Sequence, residues 1–135
     1  MKRAGFTMIE LIFVIVILGI LSAVALPKFI GVSEQAKAGK CKAFVGTLNR
    51  TVGPALWSQS LMDDNNGSLI SEFGNAAGVT TELKNQIDIP EECTPATANT
   101  AYATDDTVTI GTQVYDVNFT DGNTTSSPTW TWTKH

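Results

Sequence analysis

The sequence has few of the residues that enzymes use for chemistry. Its 135 residues include two cysteines and one histidine, His135. Catalysis by acid–base or nucleophilic groups needs such a residue beside a partner. The chain has no Ser-His-Asp set, no glycine-rich phosphate loop and no metal-ligand spacing, and the adjacent acids Glu91-Glu92 and Asp105-Asp106 are typical of solvated turns. We therefore expect no enzyme activity and no cofactor.

Charge is scarce near the start of the chain and unevenly divided over the rest. Residues 1–62 carry seven basic and two acidic residues, a net charge of +5, whereas residues 63–135 carry two basic and eleven acidic residues, a net charge of −9. An acidic distal half argues against broad binding to nucleic-acid phosphates. The basic residues of the proximal half are interpreted as a solvated helix face: Lys37, Lys40, Lys42 and Arg50.

A long apolar run covers residues 6–26. A helix of that length would be about 31 Å long, which matches the hydrocarbon core of a bilayer. Because Lys2 and Arg3 precede the run, its N-terminal end should stay in the cytoplasm, with the distal domain on the other side of the membrane. The run contains four residues that are not strongly apolar: Thr7, Glu10, Gly19 and Ser22.

Glu10 is the unusual member of this run. A carboxylate in the hydrocarbon of a membrane costs about 2.5–3.5 kcal/mol on insertion scales. No other charged residue lies between Arg3 and Lys28. A residue this costly needs either a partner or another explanation.

The helix is predicted to continue from residue 27 to residue 62, with a kink or local melting between Gly19 and Pro27 and a second kink near Pro54. The stretch "DDNNGS" (63–68) ends it. An apolar stripe at helical spacing marks the part that packs on a domain. Its members are Cys41, Phe44, Val45, Leu48, Val52, Ala55 and Leu56.

The distal residues, 63–135, predict a small α/β domain. A short helix is expected over residues 79–86. The segments "TVTI", "QVYDVNF" and "TWTWT" alternate polar and apolar residues and predict an antiparallel meander of three strands, with Trp130 and Trp132 on one face as core residues. The expected fold class is α+β, a long helix packed on a small antiparallel sheet.

Cys41 and Cys93 either form a disulfide or remain two free thiols. They form no CxxC motif, and no histidine is near them, so a zinc site is not expected. Outside the cytoplasm a disulfide is permitted. Closing a loop of roughly fifty residues would stabilise the fold by about 4 kcal/mol in the chain-entropy model.

The stretch "KRAGFTMIELIFVIVILGILSAVALPKF" resembles the N-terminus of type IV prepilins and of the related pseudopilins of type II secretion systems, which carry a class III signal peptide. The resemblance implies a leader of residues 1–5, cleavage between Gly5 and Phe6 by a prepilin peptidase, and N-methylation of Phe6. It implies that Glu10 pairs with the Phe6 amine of the same or a neighbouring subunit, and that the helix can unwind between Gly19 and Pro27.

The resemblance also implies a function and partners. The chain would be a subunit of a bacterial type IV pilus-like filament, a fimbrium, or alternatively of a pseudopilus. It would be a single-pass protein of the inner membrane with a periplasmic distal domain, and would then polymerise through its N-terminal helix with other pilin-like subunits. An assembly platform and an ATPase would drive this step, and no nucleotide binding is expected in this chain.

Some pseudopilins bind calcium through C-terminal acids. The candidates by charge are Asp105, Asp106, Asp116 and Asp121. Their spacing matches no calcium loop, so solvated turns are the favoured interpretation.

Two other interpretations of the N-terminus remain open. The tripeptide Ala23-Val24-Ala25 is an A-x-A site after an apolar run, typical of a Sec signal peptide. Cleavage after Ala25 would release a soluble domain that begins at Leu26. The apolar run could also be a plain single-pass anchor.

Overall fold

The computed structural model describes residues 5–135, so Lys2, Arg3 and the expected leader up to residue 4 lie outside the described residues. A long helical segment, Met8–Met62, is followed by short helices and then by three strands. The elements are α1 Met8–Thr47, a π-helical turn Leu48–Val52, α2 Gly53–Met62, α3 Leu69–Glu72, α4 Ala76–Gln86, a 3-10 turn Glu91–Cys93, β1 Asp106–Ile110, β2 Gln113–Thr120 and β3 Thr129–Lys134.

The chain divides into two compact units, the first ending at Gln35 and the second comprising Ala36–His135. The described part of the first unit consists of residues 5–7 and the first part of α1. It is helical at every residue from Met8 onward, including Gly19 and Pro27. The kink expected between these two residues stays a prediction for the protein in a membrane or filament.

The helical segment changes its winding just before Pro54. The backbone N–H of Gly53 bonds to the carbonyl of Leu48, five residues earlier, and Pro54 then lies in the first turn of α2. Proline has no N–H to donate, so a first turn is where a helix tolerates it best. The second kink was expected at this place, and the structure has a π-helical turn here.

The second unit is built on the predicted antiparallel meander, in the order β1-β2-β3. Its register pairs Val108 with Tyr115 and Phe119 with Trp130. Trp130 is buried, whereas Trp132 is half-buried and stacks on Tyr115 with ring centroids 4.9 Å apart. The α+β fold, with the long helical segment packed on this sheet, is confirmed.

One face of the helical segment packs into the core of the second unit. The predicted stripe is buried at six positions: Cys41, Phe44, Val45, Leu48, Val52 and Leu56. Ala55 was predicted to belong to the stripe but is exposed. The π-helical turn is the physical reason, because one extra residue in a turn rotates all later side chains around the axis. Gly53 and Ser60 are buried in its place.

A disulfide and a pair of hydrogen bonds hold this part of the helix to the rest of the unit. The Sγ atoms of Cys41 and Cys93 are 2.05 Å apart, and both residues are fully buried. Further along, the Asn49 amide donates to the carbonyl of Trp130 at 2.7 Å and accepts from its N–H at 2.8 Å. Asn49 thereby satisfies the outward backbone groups of an edge strand, a contact that periodicity did not predict.

Candidate functional site

The surface of the first unit is mostly apolar. Every large apolar side chain between Phe6 and Val32 is exposed, from 40% at Ile17 to 80% at Phe6. By length and composition, this helix could cross a membrane. An exposed apolar surface of this extent must be covered by lipid or by other protein chains, because soluble monomers rarely expose more than a few hundred Å² of contiguous apolar surface.

The apolar helix begins at a capping box formed by Thr7 and Glu10. Glu10 Oε2 accepts hydrogen bonds from the Thr7 N–H at 2.8 Å and from the Thr7 hydroxyl at 2.7 Å. The N–H of Glu10 donates to Thr7 Oγ1 at 3.4 Å. A Thr-x-x-Glu sequence allows this reciprocal arrangement at a helix start. The capping role of Thr7 was not predicted from the sequence, although Thr-x-x-Glu before an apolar run is itself a recognisable signal.

The capping box leaves one carboxylate oxygen of Glu10 available. Both hydrogen bonds that the carboxylate accepts go to Oε2, and within residues 5–135 no donor contacts Oε1. The Glu10 side chain is thus oriented by its own helix start and is exposed. Its geometry suits a carboxylate that receives one further donor from outside.

The predicted cleavage position lies just before this helix start. Gly5 and Phe6 are exposed and belong to no helix or strand, and α1 begins at Met8. A Cβ placed on Gly5 would meet nothing within 4 Å. The peptide bond between Gly5 and Phe6 is therefore accessible and need not be unwound from a helix before an enzyme acts on it.

The four acids considered for calcium do not form one site. Asp121 accepts from the Ser68 hydroxyl at 2.5 Å and from the Leu69 N–H at 2.8 Å, so it caps α3. The others bond elsewhere: Asp105 to Phe119 N–H, Asp106 to Thr97 and Thr107, Asp116 to His135. In the part of the chain that the structure describes, no group of three or more His, Cys, Asp or Glu is placed to hold a metal ion.

Two titratable groups lie next to the disulfide. The Glu92 carboxylate accepts from Lys40 Nζ at 2.8 Å, and this bond lowers the pKa of Glu92. Tyr102 donates its hydroxyl to the carbonyl of Cys93 at 2.7 Å, and burial, followed by the charge of Asp106, raises the pKa of Tyr102 well above its ordinary value. Both groups keep their ordinary charge at neutral pH. The Lys40–Glu92 bond joins the loop around Cys93 to α1, and the Tyr102–Cys93 bond joins it to the segment before β1.

The N-terminal sequence and the fold are both similar to those of one class of protein. Residues 1–26 match the family model for the prokaryotic N-terminal methylation motif. A long N-terminal helix then packs on a three-stranded antiparallel sheet, as in type IV pilins. The predicted resemblance to the type IV pilin class is confirmed.

Two named relatives are both pilins. The chain is 49% identical over 43 residues to the type IV narrow pilus major component PilA5 of Thermus thermophilus. This match covers 32% of this chain and 37% of that protein. It is 32% identical over 85 residues to the type IV major pilin protein PilA of Myxococcus xanthus, covering 63% of this chain and 35% of that protein. The matches thus span about a third of each relative's length. No solved structure is significantly similar.

Proposed function

We propose that this protein is a structural subunit of a type IV pilus-like filament, first anchored in the inner membrane by residues 6–26 and then polymerised through the same helix. The observation that carries this proposal is an uncovered apolar helix that begins with an oriented carboxylate. Such a surface suits two environments in turn, lipid and the packed helices of other subunits. Both relatives are named as major pilus components, which favours a pilus over a pseudopilus.

Processing would prepare the helix for assembly. A prepilin peptidase would cut between Gly5 and Phe6, and the new amine of Phe6 would be methylated. The match to the N-terminal methylation motif and the accessibility of Gly5 and Phe6 support this step. Cleavage leaves the capping box intact, because its atoms belong to Thr7 and Glu10.

Glu10 would then guide docking. Its Oε1 would accept a hydrogen bond from the charged amine of Phe6 in the same or a neighbouring subunit. An unpaired charge in an apolar environment is costly, whereas a paired and hydrogen-bonded charge is tolerated and sets the register of packing. The Thr7 hydroxyl would reduce the cost of keeping the carboxylate in the membrane before the amine arrives.

The second unit would lie outside the cytoplasm and form the filament surface. A disulfide between Cys41 and Cys93 suits an oxidising compartment such as the periplasm. An assembly platform and an ATPase would supply the work of extracting subunits from the membrane. The role of this chain in the process would be structural.

Intact mass and N-terminal sequencing of the protein from its native membranes test the proposal. We expect a chain that begins at Phe6 and is about 14 Da heavier than its calculated mass, since one methyl group replaces one hydrogen. A chain that begins at Leu26 would instead identify a secreted domain released after Ala25. An unprocessed chain recovered from membranes would identify a plain anchor, and either result contradicts the proposal.

A further inference from the structure

Charge is segregated within the second unit. Residues 36–62 carry four basic residues and no acidic residue, whereas residues 63–135 carry a net charge of −9. Two of the basic residues lie beside the acidic part of their own chain. Lys40 Nζ is 2.8 Å from Glu92 Oε1, and the charge of Lys37 also acts on Glu92.

The other two basic residues, Lys42 and Arg50, lie on an open face of the helical segment. They border a shallow groove of about 560 Å³, whose further lining includes Gly39, Ala43, Gly46 and Thr47. A Cβ added to Gly39 or Gly46 would meet no atom within 4 Å, so no residue of the described chain covers the groove at these two positions. Within residues 5–135 neither cation has an ion pair.

The acids of the same chain do not neutralise this groove, because the helix faces its own domain with its other side. Cys41, Phe44 and Val45 are buried in the core, and the side chains of Lys42 and Arg50 are exposed. An anionic segment of another molecule could reach them. The acidic surface of a second copy is such a segment, and charge complementarity of this kind fixes the register of an interface.

Most acids of the distal part already accept hydrogen bonds within their own chain. These are Glu72, Glu82, Glu92, Asp105, Asp106, Asp116 and Asp121. Four acids, Asp63, Asp64, Asp88 and Glu91, are exposed and have carboxylates without a partner within residues 5–135. Among these four, Asp63 and Asp64 are the candidates for a contact with another copy. They are also adjacent, in the tight turn where the helical segment ends and where Asp64 has a φ of 59°.

We infer that the groove bordered by Lys42 and Arg50 binds the Asp63–Asp64 turn of a second copy of this chain. The inference rests on the proposed filament function. It adds a second contact between subunits, made with a different neighbour from the Glu10–Phe6 contact, because the two contacts require different displacements along the helix. Asp63 follows Arg50 by 13 residues and Lys42 by 21 residues. At a helical rise of 1.5 Å per residue, parallel copies in this contact would be displaced by roughly 20–30 Å along the helix.

Charge exchange in native cells tests this contact. The variants are Lys42→Glu/Arg50→Glu, Asp63→Lys/Asp64→Lys and the chain that carries all four substitutions. We expect each double variant to lower the yield of sheared filaments by at least about tenfold, since like charges that face each other at an interface repel. The fourfold variant restores the opposite charges and should recover most of the yield. Lys84→Glu/Lys134→Glu, with the same charge change elsewhere, should leave the yield unchanged.

A second measurement separates lost docking from failed folding. Lys42→Gln/Arg50→Gln removes the charges without reversing them and should make filaments less sensitive to added salt than the wild type, because salt screens exposed charges. Membrane levels and the Cys41–Cys93 bond on non-reducing gels should match the wild type in all variants. The inference would be overturned if the filament yield of the double variants equalled that of the wild type, or if the yield of the fourfold variant were as low as that of the double variants. Absence of wild-type filaments would instead reject the proposed function.

Discussion

Phe13 and Phe44 lie in the same helix, α1, yet Phe13 is 65% exposed and Phe44 is 7% exposed. Both are bulky apolar residues in helical backbone. They differ because the second unit supplies partners for Phe44, among them Tyr102 with ring centroids 5.2 Å away. Hydrophobicity therefore does not define a core by itself. In the first unit it defines a surface that must be covered by something other than this chain.

The largest expected effect is a loss of filament assembly from a change in the first unit alone. Glu10→Val removes the carboxylate from the first unit and leaves the core of the second unit untouched. We expect no sheared filaments, while export and cleavage after Gly5 continue, because the docking partner of the Phe6 amine is lost. Electron microscopy and immunoblots of sheared and membrane fractions measure both. Glu34→Val, a matched loss of charge on the same helix, should still assemble, and normal filaments from Glu10→Val would disprove the docking role.

The second effect is confined to the other region. Cys41 and Cys93 are separated by 52 residues, so their bond removes much of the freedom of the unfolded chain. Replacing both by serine should lower the free energy of unfolding of the second unit by about 4 kcal/mol in the chain-entropy model. Denaturant unfolding of the full chain in detergent measures this. Reductant should destabilise the wild type and have no effect on the double variant, and equal stability of the two chains would refute the prediction.

A smaller effect is expected from the capping box. Thr7→Val keeps the shape of the side chain but removes the hydroxyl that donates to Glu10, whereas Thr7→Ser keeps that hydroxyl. Loss of a cap costs about 1 kcal/mol, so filament yield from Thr7→Val should fall severalfold and Thr7→Ser should restore it. Equal yields from the valine and serine variants would show that the hydroxyl does not position Glu10.

The smallest effect concerns the ion pair beside the disulfide. The pKa of Glu92 is lower in the folded chain than in the unfolded chain, mainly because it accepts a hydrogen bond from Lys40. Its contribution to stability is therefore present above the ordinary pKa of glutamate and is lost as pH falls through the lowered value. In acid titrations of unfolding stability, Lys40→Met should flatten the curve slightly below about pH 4.5. An unchanged curve would mean that the exposed pair contributes nothing measurable.

Local patterns were sufficient to predict most of the architecture. The alternation in "QVYDVNF" and "TWTWT" predicted β2 and β3, and the stripe that begins at Cys41 predicted the packed face of the helix. The spacing of Gly5, Phe6 and Glu10 indicated the resemblance to type IV pilins. These features are periodic or contiguous in the chain, so they can be read without knowing which distant residues meet.

Contacts between distant residues were decided only by the tertiary structure. No local pattern indicates that Asn49 would bind the backbone of Trp130, that Asp121 would cap α3, or that a π-helical turn would move Ala55 to the surface. Each depends on how two remote segments satisfy their backbone groups once the core has formed. The sequence by itself determined that the first unit is an apolar helix whose surface must be covered by lipid or by other protein chains. Only the tertiary structure determined which face of the helix in the second unit remains exposed, because this depends on which face the rest of that unit buries.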